Sequence, residues 1–333
     1  MVDRKRNKTI DAMKALSTIM VVYIHSHNIV NYAGIESRNA IIQMVSVLTG
    51  AGVPTFFLIS AYLMKKSAKP YKENIKKKVK TLLLPYLLWI LIYVMLEVVG
   101  NKVLPASFSD VTKWSGVDWI KNLVGIPFIE SPIYIPLWFV RDLFVLNLMA
   151  PVFDLVINRV PYCITLIIIG GGGWYLPLPG YFRQAICFFM LGLFMGAIEA
   201  KNEKFFISKK MSTFLTIIFM LGIVVLPDNY YLTRTKILMA IALLYFICRF
   251  ICENREYKRL QSITSYSFWI YATHGKLLSI LQTMSIRVLT QSDGIILAEF
   301  LVFPVVVILI CITLGTAVQK LCPQVYSVLT GGR

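Results

Sequence analysis

Long apolar stretches alternate with short polar gaps over almost the whole chain. Ten such stretches of about 18 to 25 residues recur, at roughly 10–32, 40–63, 81–100, 136–158, 161–178, 181–199, 212–228, 234–252, 264–286 and 295–318. A run of that length with few charges spans a bilayer as a helix, because in lipid a helix satisfies its own backbone hydrogen bonds. The pattern predicts an all-α polytopic membrane protein of about ten transmembrane helices. The fifth and sixth stretches are interrupted by Gly170 to Gly173, Pro177, Pro179 and Gly180. They read either as a helical hairpin with a tight outer turn or as one spanning helix plus a re-entrant piece. The largest gap, about 101–135, holds Trp114 and Trp119, with Pro105, Pro127, Pro132 and Pro136 in or beside it. That composition predicts a folded outer loop with an interfacial helix whose aromatic rings sit at headgroup depth. Residues 1–333 carry no internal repeat and no gap of soluble-domain size, so they read as a single membrane domain.

Composition agrees with the pattern: 57% hydrophobic and only 15% charged residues exclude an ordinary soluble domain of 333 residues. A net charge of +17 would point to nucleic acid if it were spread over a surface, but its placement argues otherwise. Arg4, Lys5, Arg6 and Lys8 precede the first stretch, and eight lysines lie between Lys65 and Lys80 with only Glu73 to offset them. Later even-numbered gaps hold Lys201, Lys204, Lys209 and Lys210, then Arg249, Arg255, Lys258 and Arg259. The third gap instead mixes Lys102, Lys113 and Lys121 with Asp110, Asp118 and Glu130. This alternation predicts cytoplasmic N- and C-termini and an even number of spans. No cleavable signal peptide is expected, because the first stretch is long, keeps polar residues and lacks a small-residue cleavage site. The six cysteines lie in or beside apolar stretches without metal-ligand spacing, and read as small packing residues with no disulfide framework and no metal.

Chemistry enters where polar groups interrupt the apolar runs. Asp11 and Lys14, three residues apart, can pair at the cytoplasmic end of the first helix. His25 lies eleven residues after Lys14, on nearly the same face and about 16 Å further along the axis. An ionisable residue in a spanning helix is expensive, and a neutral imidazole there can act as general base toward a hydroxyl. The alternative is a histidine satisfied by a neighbouring helix. His27 points about 200° away from His25 and reads as a packing or outer-surface residue. In the second stretch, Gly50-Ala51-Gly52-Val53-Pro54 permits close helix approach or a kink.

Lys77 and Lys80 neighbour each other on one helix face at the cytoplasmic boundary, where they could grip the phosphates of a nucleotide-bearing donor. Attraction to anionic membrane lipid accounts for most of the eight lysines equally well. Trp138, Arg141 and Asp142 open the fourth stretch near the outer face, either to orient an acceptor or as an aromatic anchor with a structural ion pair. Tyr271 and Ser267 precede His274 by three and seven residues and share its face, which could close a polar chamber around His25.

In order and spacing, these segments resemble the acyltransferase 3 family of bacterial integral membrane acyltransferases. The resemblance covers nearly the whole chain. Its carriers are Lys14 with His25 after ten intervening residues, the Val-Pro-x-Phe-Phe-x-x-Ser-x-Tyr-Leu stretch at 53–63, and Lys77-x-x-Lys80 ahead of Leu-x-x-Pro-Tyr. The Leu-Trp-Phe run at 137–139 and Tyr-Ser-x-x-x-Tyr-x-x-His at 266–274 complete the set. Lysines stand where the family often has arginines in the basic pair, and Ala61 where glycine is common. The resemblance implies a multi-pass protein of the bacterial cytoplasmic membrane that moves an acyl group, usually acetyl from cytoplasmic acetyl-CoA, to a hydroxyl of a cell-envelope glycan or lipid-linked sugar. It implies His25 as catalytic base or acyl relay, Lys14 as the cation supporting it or the CoA, and Lys77 and Lys80 as donor-phosphate contacts. With no fused extracytoplasmic domain in the chain, the acceptor is acylated directly or through a separate extracytoplasmic transferase. The competing reading is a transporter of a small polar metabolite or acyl-modified intermediate. A transporter of independent ancestry would often show inverted repeats and paired broken helices, and the sequence shows neither.

Overall fold

A computed structural model describes residues 7–33, 39–67, 69–103, 108, 110–125, 130–174, 182–200, 209–227, 229–253, 257–289 and 292–332. Among these the chain forms fourteen α-helices and no strand. They are α1 (Lys8–Ala33), α2 (Ala40–Thr49), α3 (Gly52–Lys65), α4 (Tyr71–Lys78), α5 (Leu84–Val103), α6 (Gly116–Leu123) and α7 (Trp138–Arg159). After these come α8 (Tyr162–Ile167), α9 (Phe182–Ala200), α10 (Lys209–Val225), α11 (Tyr230–Glu253), α12 (Tyr257–Val288), α13 (Asp293–Leu321) and α14 (Pro323–Thr330). The described residues of each of the ten apolar stretches are mainly helical. Pro105, Pro127, Pro177, Pro179, Gly180 and the cations Arg4, Lys5, Arg6, Lys201, Lys204 and Arg255 lie outside the described residues.

Among the described residues, four helical segments have the length and apolarity to cross a membrane: Ala40–Lys65, Tyr71–Val103, Leu232–Glu253 and Asp293–Leu321. Shorter apolar helices occupy Tyr162–Gly171, Ala185–Glu199 and Lys210–Val225. The helices α1, α7 and α12 have the length as well, but they carry His25, Arg141 with Asp142, and His274.

The chain forms two compact units, Met1–Ile59 with Asn202–Ala317 and Ser60–Lys201 with Val318–Arg333. In the first unit α1 and α12 run side by side in the same direction. Thr264 Oγ1 donates to the Asp11 carbonyl (3.0 Å) near their beginnings, and Gln282 Nε2 donates to the Ser26 carbonyl (3.1 Å) further along. Between α2 and α3 the helix breaks at Gly50 and Ala51. A Cβ on Gly52 would lie 3.0 Å from Met20 Cβ and 3.2 Å from the Ser17 carbonyl oxygen, so the absent side chain is what lets α3 lie against α1. At α12 and α13 the same device recurs: Gly315 faces the Trp269 and Tyr266 rings, and Thr273 Oγ1 donates to Cys311 Sγ at 3.2 Å. All six cysteines are unpaired; Cys187, Cys248 and Cys311 are buried packing residues as expected, whereas Cys163 and Cys322 are exposed.

The second unit holds a local departure from α geometry that the sequence explains. Pro85 has no N–H to offer the Thr81 carbonyl four residues back, and the chain answers with a π-helical turn over Val79–Leu83. Leu84 N–H accordingly bonds the Val79 carbonyl, five residues back. Gly331, left-handed at φ 69°, seats its Cα against this turn; a Cβ there would lie 2.6 Å from the Thr81 carbonyl oxygen. Trp89 Nε1 donates to the Leu329 carbonyl (3.0 Å) and holds α14 along α5. In the expected outer loop, α6 opens with a reciprocal Ser115/Asp118 cap and exposes Val117 and Ile120, as an interfacial helix should. The Ser115 hydroxyl and backbone N–H hold the Asp118 carboxyl below the usual carboxylate range.

Candidate functional site

Because α1 stays helical from Lys8 to Ala33, Lys14 and His25 keep the axial separation that their spacing implies. Lys14 pairs with Asp11 rather than with the histidine: its Nζ lies 3.4 Å from Asp11 Oδ1, and the carboxylate side chain is only 7% exposed. The pairing expected from the three-residue spacing is thus present. Eleven residues further along α1, His25 meets His274, which α12 delivers to the same side. The two rings lie with centroids 5.1 Å apart and planes tilted by 49°. The Tyr271 ring is 6.2 Å from that of His274, so three expected chamber residues do assemble within one unit. Ser267 does not join them, since its hydroxyl bonds back to the Ile263 carbonyl of its own helix.

The chain's three histidines differ in how much of their hydrogen-bonding capacity is taken. His27 is committed at both nitrogens, with Nδ1 3.1 Å from the Tyr23 carbonyl oxygen and Nε2 on the Ser46 hydroxyl, and its ring stands edge-on to Phe300 at 5.0 Å. The packing role read from its orientation is what the structure gives it. His274, fully buried, is committed at one: Nδ1 faces the Ile270 and Tyr271 carbonyl oxygens at 3.0 and 2.9 Å. Carbonyls only accept, so Nδ1 carries the proton and Nε2 presents a lone pair. That Nε2 is buried with no hydrogen-bond partner among the described residues. His25, half-buried, makes no hydrogen bond to any described residue. A ring with an available nitrogen beside a second ring with a fixed lone pair can accept, hold and return a proton.

The remaining candidates belong to the second unit. Lys77 and Lys80 are exposed, at the end of α4 and in the π turn. Other lysines of the same run have structural partners. Lys65 Nζ lies 2.9 Å from Asp154 Oδ1, and Lys66 Nζ lies 2.6 Å from Glu199 Oε1, beside the Tyr62 hydroxyl on the same carboxylate. Lys78 Nζ donates to Ser60 Oγ at 3.2 Å, tying α4 to the serine of the 53–63 stretch. Sequence spacing singled out Lys77 and Lys80 and missed this contact.

Arg141 and Asp142 are buried, with side chains 6% and 0% exposed. Arg141 Nε donates to Asp142 Oδ1 (2.8 Å), while its two terminal nitrogens donate to the carbonyls of Val124 (2.6 Å) and Glu130 (2.7 Å). Gly125 at φ 60° makes room, since a Cβ there would lie 2.8 Å from Arg141 Nη1. Trp138 is buried beside Phe139. Of the two readings offered for this segment, the geometry favours the structural ion pair over an acceptor-orienting one. The guanidinium ties Val124 to Glu130 within the 101–135 segment.

Sequence reading also passed over Glu299, buried in α13 with one carboxyl oxygen on the Ser285 hydroxyl and the other without a partner among the described residues. A carboxylate inside the 295–318 stretch was the available signal. Arg234 and Lys236, buried in α11, carried the same signal in the 234–252 stretch.

Comparison with known proteins follows this geometry. The profile described as an acyltransferase domain, Acyl_transf_3, matches residues 7–318. The succinoglycan biosynthesis protein ExoH of Rhizobium meliloti (strain 1021) is 24% identical over 363 residues, an alignment covering 99% of this chain and 94% of that protein. No solved structure matches the chain. A family match running from the start of α1 to the end of the helical core encloses His25 and His274 alike, and the chain belongs to the acyltransferase 3 family of integral membrane proteins.

Proposed function

We propose that the protein transfers an acyl group, acetyl in the first instance, from cytoplasmic acyl-CoA to a hydroxyl of a cell-envelope glycan. His25 acts as the base or acyl relay. The observation that carries this reading is His25 itself: an imidazole on a long membrane helix, half-buried and without a hydrogen bond to any described residue, in a chain of an acyltransferase family. A relative named for succinoglycan biosynthesis supports a polysaccharide as acceptor. The protein sits in the bacterial cytoplasmic membrane with about ten spans and both termini cytoplasmic, the arrangement favoured by its alternating basic gaps.

In the reaction, the acceptor oxygen attacks the thioester carbonyl as His25 takes the hydroxyl proton. The C–S bond breaks as the C–O bond forms, and the thiolate leaves with that proton as free CoA. The exposed Lys77 and Lys80 contact donor phosphates, and Lys14, anchored by Asp11, supplies positive charge at the cytoplasmic end of α1. Acceptor-dependent CoA release by protein in lipid nanodiscs, offered a panel of acyl-CoA donors and glycan acceptors, tests the reading. Release that disappears in a folded His25→Ala variant is the expected result. Full activity in that variant would overturn the role of His25, and no release with any donor would turn the reading toward transport or a missing extracytoplasmic partner.

A further inference from the structure

His274 is buried and fixed in one tautomer, yet it leaves an acceptor unused. A buried polar atom without a partner costs about 1–3 kcal/mol, and most proteins avoid it. The penalty here falls on a lone pair beside the one histidine whose nitrogens are uncommitted. An imidazole nitrogen lies about 1.1 Å from its ring centre, so facing nitrogens of these two rings would be separated by roughly 2.9 Å, a hydrogen-bond length. That bond is not made among the described residues, and a turn of the His25 ring about its Cβ–Cγ bond is the movement that would bring one of its nitrogens to His274 Nε2.

We propose that His274 is a positioning residue for His25: its Nε2 takes the N–H of the His25 ring, fixes that ring's tautomer and aim, and leaves the opposite His25 nitrogen as the base. The Ile270 and Tyr271 carbonyls are the origin of the effect, because by holding the His274 proton on Nδ1 they keep Nε2 an acceptor at all times. The backbone of α12 thereby dictates which nitrogen of a histidine on α1 meets the substrate. His27 cannot substitute, with both nitrogens engaged by Tyr23 and Ser46.

This inference rests on the reading of His25 as the base, but its test does not need activity. With three histidines in the chain, nitrogen NMR of histidine-labelled protein in lipid, purified without a histidine tag, reads each tautomer directly. Expected are a single tautomer for His25 in the native protein, a mixture of both in His274→Leu, and a single tautomer again in His274→Gln, whose amide oxygen accepts in place of Nε2. The His27 signals should stay constant and report an intact fold in each variant. In the transfer assay, kcat should fall about tenfold to a hundredfold in His274→Leu with KM for the donor little changed, and recover in part in His274→Gln. A His25 tautomer that is unaltered in His274→Leu overturns the proposal. Full activity of His25→Ala would remove the reading of His25 as base while leaving the tautomer result to decide the coupling.

Discussion

The start of α7 and the facing stretches of α1 and α12 both bury ionisable side chains, and they differ in what is left over. Arg141 places all of its reported hydrogen bonds on one carboxylate and two loop carbonyls, so its charge serves the fold. The His25 and His274 rings lie in contact, yet one nitrogen of His274 and both of His25 have no described partner. Between these two regions the difference is unused hydrogen-bonding capacity among the described residues, and that is what marks His25 and His274, rather than Arg141, as the candidates for chemistry.

Removing either group should break this contrast in opposite ways. His25→Ala should lower acyl transfer by about 10²–10⁴-fold, the usual contribution of a general base, with yield and melting temperature close to native. Arg141→Ala should instead destabilise by about 3–5 kcal/mol, because it takes the cation away from the buried Asp142 carboxylate and a donor away from two loop carbonyls, while activity per folded molecule persists. Thermal melts in detergent, paired with the CoA-release assay, separate the two. If Arg141→Ala folds normally and loses activity, the α7 segment belongs with the chemistry. The lysine run allows a gentler version of the same comparison. Lys77→Ala with Lys80→Ala should raise KM for acyl-CoA about tenfold without affecting the melt, whereas Lys65→Ala with Lys66→Ala should lower the melt and leave KM alone. The smallest effect is expected for His27→Phe, about 1 kcal/mol of stability from the lost Ser46 bond and activity within about twofold of native.

The all-helical character was legible from periodicity, since the described residues of the ten apolar stretches are mainly helical. Spacing also placed Lys14 beside Asp11 and put Tyr271 and His274 on one face, because those relations lie within single helices. What spacing could not supply was the partner across helices. It offered the His274 face as one wall of a chamber around His25 without showing that the two rings would meet, and it did not show that Lys78 would reach Ser60 or that Arg141 would close on Val124 and Glu130. Each depends on which helices neighbour one another, and no local rule contains that. Glu299 is a different kind of miss: its position in an apolar run was readable, but its partner, fourteen residues earlier on α12, was not.

The π turn at Val79–Leu83 carries a consequence for natural variation among related chains. Such a turn is an α-helix holding one surplus residue, so a deletion within it can restore regular hydrogen bonding instead of breaking the helix. It would also swivel everything upstream by about 100° relative to α5. A single-codon loss could then re-aim Lys77 while keeping the protein folded, making insertion and deletion, more than substitution, the sensitive changes in this segment.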